Sequence, residues 1–174
     1  ESGLHAVREG LFAWYAGGEK AAAGRARMAY AAWLSGVCLA QAGLGSVHGL
    51  ASPLGAFFPI PHGIVCGTLV SAATRVNLHT LQERDPGNPA WRKYAQASAI
   101  LNQRHFSSTE ESHTALLLLL DDWTERLALP RLSVYGIQEN DFTRIVAHCR
   151  GGSMKTNPLP LHDAEIIELL GRRL

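Results

Sequence analysis

Apolar residues recur at three- and four-residue intervals through most of the chain, and no stretch alternates singly over the length of a strand. Residues 3–16 (GLHAVREGLFAWYA) carry Leu4, Val7, Leu11, Trp14 and Tyr15 at helical spacing, and Gly17 and Gly18 supply a stop. Residues 19–42, free of proline, predict a long second helix. Its later half, Met28 to Ala42, is apolar almost all round, which predicts burial on more than one side. A helix is expected from Pro61 to near Leu78, with Gly67, Ser71, Ala72 and Ala73 permitting close packing. Asn88 as N-cap and Pro89 at the first helical position open another, running to near Gln103. Ser108-Thr-Glu-Glu111 reads as a capping box for the next, which contains Leu116–Leu120 and stops before Pro130. Gly136 breaks a short turn, and residues 139–150 form a helix that ends at Gly151 and Gly152. An extended connection over 154–161 leads to a last amphipathic helix, 162–172, whose dipole Arg172 and Arg173 complement. The expected fold class is all-α, a bundle of about seven or eight helices with no sheet.

One stretch departs from this regularity. Between Ala42 and Asn77 lie His48 and His62, separated by thirteen residues and therefore unable to share one helical face. Pro53, Pro59, Pro61, Gly45, Gly49, Gly55 and Gly63 crowd the interval. They predict a helix, an irregular loop and a second helix, with one imidazole at the end of each arm. Neutral imidazole is the commonest protein metal ligand. Two histidines are still only half of a catalytic metal site. Glu110, Glu111, Asp121 and Asp122 are the main internal carboxylates, and none has a defined spacing to the pair.

Composition narrows the partners. The chain has 174 residues, 47% hydrophobic, with a formal net charge of +1, the size of one domain with a real core. The absence of a basic stripe excludes nucleic acid as the main partner. The apolar run Ala115–Leu120 is far too short to span a bilayer, so no membrane role is expected. No signal-peptide pattern is visible, and a first residue of Glu implies that the sequence starts mid-protein. Cys38, Cys66 and Cys149 are an odd, widely spaced set without CxxC, which points to the cytoplasm. Cys66 reads as a small core residue.

The segment VHGLASPLGAFFPIPHGIVCGTL resembles the metal-site signature of the iron-containing (group III) alcohol dehydrogenases, with its His-Gly-x-Ala and Pro-His-Gly elements. The closing segment from Arg131, with Thr156-Asn157-Pro158 before a last helix, resembles that family's C-terminal end. The resemblance implies that residues 1–174 are the C-terminal helical metal-binding domain, without the N-terminal dinucleotide-binding domain. It implies Fe(II), with Zn(II) possible, held by His48, His62 and an upstream Asp-x-x-x-His pair. It also implies NAD or NADP, bound through the missing domain, and a small alcohol or aldehyde substrate. The metal would polarise the substrate oxygen during hydride transfer, the fragment alone would be inactive, and a homo-oligomer is expected. His5, with Glu1 in place of the Asp, is one alignment for the upstream pair. The other sets the pair before residue 1 and needs almost no gap through to His48. Where many members carry a second histidine four residues after the first, this chain has Ser52, a candidate for a proton relay. Leu39 and Phe57 fall at positions lining the substrate pocket.

Other readings stand beside this one. A maleylacetate-reductase-like or glycerol-dehydrogenase-like relative shares the fold and the histidine spacing, and a helical relic or interaction module would need no chemistry. No GxSxG elbow supports a hydrolase built on Ser46 or Ser52. His79, His105, His113, His148 and His162 read as solvated or capping, and Asp121-Asp122 as a solvated helix face.

Overall fold

The computed structural model describes all residues, 1–174. It contains eight α-helices and no strand. They are α1 (Ser2–Tyr15), α2 (Ala21–Ala42), α3 (Ser46–Phe57), α4 (His62–Arg84), α5 (Pro89–Asn102), α6 (Thr109–Arg126), α7 (Phe142–His148) and α8 (Asp163–Gly171). Short 3-10 turns occupy Leu132–Tyr135, Glu139–Asp141 and Gly152–Thr156. No single helix is long and apolar enough to cross a membrane.

The chain divides into two compact units, one of residues 1–42 with 92–116, the other of residues 43–91 with 117–174. In the first, α1 and α2 form an antiparallel hairpin turned by Gly17 and Gly18, both at φ +74°. Two glycines set how closely the helices approach. A Cβ on Gly24 would lie 2.5 Å from the Trp14 backbone nitrogen, and one on Gly10 would lie 2.8 Å from the Gly24 carbonyl oxygen. Arg27 pairs with Glu9 at 3.1 Å, and the Ser2 and Tyr30 hydroxyls meet at 3.0 Å. Ser98 Oγ donates to the Ser112 carbonyl at 2.6 Å, and Ser112 Oγ donates to that of Ala95 at 3.0 Å. The expected burial of α2 fails: only Gly24 and Ala31 are buried, while Trp33 is 64% exposed. The contact with α1 uses one narrow small-residue face, so the apolar residues on the other sides find no cover.

The second unit holds the main core. Leu50 and Leu54 of α3 pack with Val65, Leu69 and Val76 of α4, Ile145 of α7 and Ile166, Leu169 and Leu170 of α8. At about 25 cal/mol per Å² of apolar area, this burial is the main stabilising term. Helix α4 runs beyond Leu78 to Arg84, where the side chain bonds the Pro160 carbonyl and Glu165.

Caps behave largely as their chemistry requires. Asn88 Oδ1 accepts from the Ala90 N–H at 2.9 Å, and Ser108 Oγ accepts from the Glu111 N–H at 3.1 Å. The Glu111 carboxylate does not return to Ser108. It accepts from the Ser107 N–H and hydroxyl instead, which holds its pKa below the usual carboxylate range.

Three further expectations need correction. The histidine interval is not an irregular loop: α3 continues through Gly49, Pro53 and Gly55, and the break falls at residues 58–61. Pro53 forfeits one helical hydrogen bond, but Leu50, Ala51 and Leu54 around it are buried and hold the helix in place. His113 is buried rather than solvated. Asp121 is half-buried, accepting from the Ser71 hydroxyl and pairing with Arg75 at 2.6 Å, so it braces α4 instead of facing only water.

Candidate metal centre

Both histidines stand at helix starts. His48 is the third residue of α3, and His62 is the first of α4. Four residues, 58–61, join the helices, and the Ile60 N–H donates back to the Phe58 carbonyl at 2.8 Å. The short link and the Leu50–Leu54–Val65–Leu69 core bring the two helix starts together. The imidazole centroids are 5.3 Å apart, their planes inclined at 55°.

The start of α3 is fastened from the far end of the chain. Asn157 Oδ1 accepts from the Ser46 N–H at 3.0 Å. Asn157 also exchanges amide bonds with Asn77 of α4 and donates to the Leu159 carbonyl at 2.9 Å. Thr156 Oγ1 donates to the Leu44 carbonyl at 2.7 Å. The Thr156-Asn157-Pro158 turn therefore positions the helix that carries His48. Gly49 lets the same region close in, because a Cβ there would lie 3.1 Å from the Cys149 carbonyl oxygen and 2.9 Å from Met154 Cε.

A third donor joins the pair. Cys66 Sγ lies 3.6 Å from His48 Nε2 and 3.5 Å from His62 Nε2. The ligating atoms of His48, His62 and Cys66 all lie within 4.8 Å of one another. Cys66 is thus no ordinary core residue. It sits half-buried one helical turn beyond His62, on the same face of α4. That four-residue spacing was the signal that could have found it. Burial, and then the neighbouring His62, lower the His48 pKa, a shift in the direction of the neutral ring that ligation requires. Burial pushes the Cys66 thiol up. The donor chemistry fits a divalent metal: two imidazoles and one sulfur converge on one point, with no cationic side chain among them.

The other candidates are placed as follows. Ser52 is exposed on α3, one turn after His48 and on its face. Phe57 ends α3 with Arg144 over its ring at 3.8 Å and His148 edge-on at 5.3 Å. Leu39 lies exposed on α2. His5 is exposed on α1. His79 faces Glu83 at 3.4 Å, and His162 takes part in the box that opens α8.

The chain is matched over its whole length, residues 1–174, by the Fe-containing alcohol dehydrogenase family, C-terminal. The chain belongs to that family. Among similar proteins is alcohol dehydrogenase 4 of Schizosaccharomyces pombe, 35% identical over 146 residues, covering 80% of this chain and 31% of that protein. Another is the NADPH-dependent butanol dehydrogenase of Clostridium saccharobutylicum, 29% identical over 140 residues, covering 80% of this chain and 33% of that one. Among solved structures, a 1,3-propanediol oxidoreductase superposes over 99% of this chain and 44% of its own, with a TM-score of 0.87 at 23% identity. The chain spans about a third of the length of the first of these relatives. The all-helical fold agrees with expectation.

Proposed function

We propose that this chain is the metal-holding part of an NAD(P)-linked alcohol dehydrogenase acting on small alcohols or aldehydes. The observation that carries the reading is the convergence of His48 Nε2 and His62 Nε2 on one point from the starts of two packed helices. Family membership sets the reaction class in which such a pair has a use. A divalent metal at this point, Fe(II) or Zn(II), would supply Lewis acidity toward an alcohol or aldehyde oxygen.

The chain's own residues do the positioning. His48 and His62 present their Nε2 atoms, and Asn157, Asn77 and Thr156 fix the helix that carries the first of them. Rigid placement matters because reactive geometry is lost with displacements near 1 Å. Ser52 carries a hydroxyl on the His48 face, where it can pass a proton between the site and water. Phe57 and Leu39 are proposed as apolar substrate-facing residues. The nucleotide is bound outside this chain, so residues 1–174 alone turn over no alcohol. A homo-oligomer in the cytoplasm, with three free thiols, completes the reading.

The test is NAD- and NADP-dependent oxidation of short alcohols by the full gene product and its His62→Ala variant. Turnover in the parent that falls at least a hundredfold in the variant and on chelation supports the reading. Turnover unchanged by both overturns it.

A further inference from the structure

The third donor carries more than the pair alone. We propose that Cys66 is itself a metal ligand, so that this chain presents a His2Cys set and favours a zinc-type ion over iron. The inference rests on the reading of His48 and His62 as ligands and adds the sulfur to it.

The geometry has an internal check. Zinc binds imidazole nitrogen at about 2.0–2.1 Å and thiolate sulfur at about 2.3 Å in tetrahedral array. Those lengths at a tetrahedral angle set the nitrogen-to-sulfur edge at roughly 3.6 Å. The two observed edges, 3.6 and 3.5 Å, match that value together. A thiol is a weak donor and a weak acceptor, so it bonds the two rings only weakly, whereas one metal ion accounts for both contacts with coordinate bonds.

The sequence supports the placement independently. His62 and Cys66 are four residues apart on α4, so both project from one face. His48 approaches from the packed α3. These are the donors that residues 1–174 supply, and the upstream pair implied by the resemblance would add to them. Chemistry then selects the ion. Thiolate is a soft ligand and imidazole suits zinc as well as iron, so adding a sulfur donor moves preference toward zinc. On binding, the thiol proton leaves to solvent and the sulfur stays attached as thiolate. Neither Cys38, exposed on α2, nor Cys149, buried under α3, belongs to the cluster.

Cobalt(II) is the probe, because it takes zinc-type sites and reports thiolate ligation by charge-transfer absorption in the near ultraviolet. The metal-free protein is titrated with Co(II), beside its Cys66→Ser and Cys66→His variants, each checked for helix content by circular dichroism. The expected result is charge transfer with visible ligand-field bands in the parent. Cys66→Ser should lose the charge transfer and bind zinc at least about 10-fold more weakly, the least that losing even an outer-shell partner costs. Cys66→His, which keeps a donor in place, should retain the visible bands without the charge transfer. Visible bands without charge transfer in the parent would overturn sulfur ligation while leaving the histidine pair as ligands. Charge transfer that survives Cys66→Ser would assign it to another thiol and also overturn the proposal. No cobalt spectrum in any form would overturn both the proposal and the reading beneath it.

Discussion

Helices α2 and α4 are nearly equal in length, 22 and 23 residues, and opposite in burial. The composition points the wrong way. Helix α2 is the more apolar to the eye, with Met28, Tyr30, Trp33, Leu34, Val37 and Leu39, yet it buries only Gly24 and Ala31. Helix α4 buries twelve residues, five of them polar: Thr68, Ser71, Thr74, Asn77 and Thr80. Each of the five has a partner. Thr68 donates to the Pro130 carbonyl and accepts from Arg173, and Thr74 donates to the Val70 carbonyl. Ser71 donates to Asp121, Thr80 to Glu165, and Asn77 pairs with Asn157. Burial is decided by what the rest of the chain can bring against a helix. Buried polar groups are tolerated when matched, and apolar groups stay exposed when no element reaches them.

The comparison can be broken or sharpened by substitution. The largest effect is expected at Leu69, fully enclosed on α4. Leu69→Ala should cost about 2–5 kcal/mol in denaturant unfolding, by lost transfer energy plus a cavity. A cost below about 1 kcal/mol would show the core to be loose there. Next is Asn157→Ala, which uncaps α3 and removes both amide bonds to Asn77. It should cost about 1–3 kcal/mol, and it should weaken metal binding although Asn157 touches no ligand. A loss of stability alone would separate the turn from the site.

On the other side of the comparison, Gly24→Ala tests the narrow contact of α2. Helix propensity alone would stabilise by about 1 kcal/mol, but the new methyl meets the Trp14 nitrogen. The expected outcome is a net loss of about 1–3 kcal/mol, read as a lower unfolding midpoint. A gain would mean that the helices part freely. The smallest effect belongs to Trp33→Ser, at 64% exposed. The change in stability should stay within about 0.5 kcal/mol, and a larger loss would mean that this face is covered in solution.

Much of the helical layout was legible because its signals are local. Asn88, Ser108 and the Gly17–Gly18 pair mark ends through bonds made within a few residues. Helix α3 was not, because Pro53, Gly49 and Gly55 argue locally against a helix that burial of Leu50 and Leu54 sustains. The histidine pair stood out by residue type. Cys66 was misread because an isolated cysteine in an apolar helix looks like packing, and only the approach of α3 shows what its sulfur faces. The roles of Asp121 and Asn157 depend on contacts 50 and 111 residues away in sequence, which no local pattern encodes.

The central claim is that two helix starts hold one metal. Its most direct test is the metal content of the full gene product, purified without oxygen or chelator, beside its His62→Ala variant with helix content confirmed. About one Fe(II) or Zn(II) per chain in the parent, lost in the variant, is the expected result. Equal, near-zero metal in both would contradict the account and make the histidines structural.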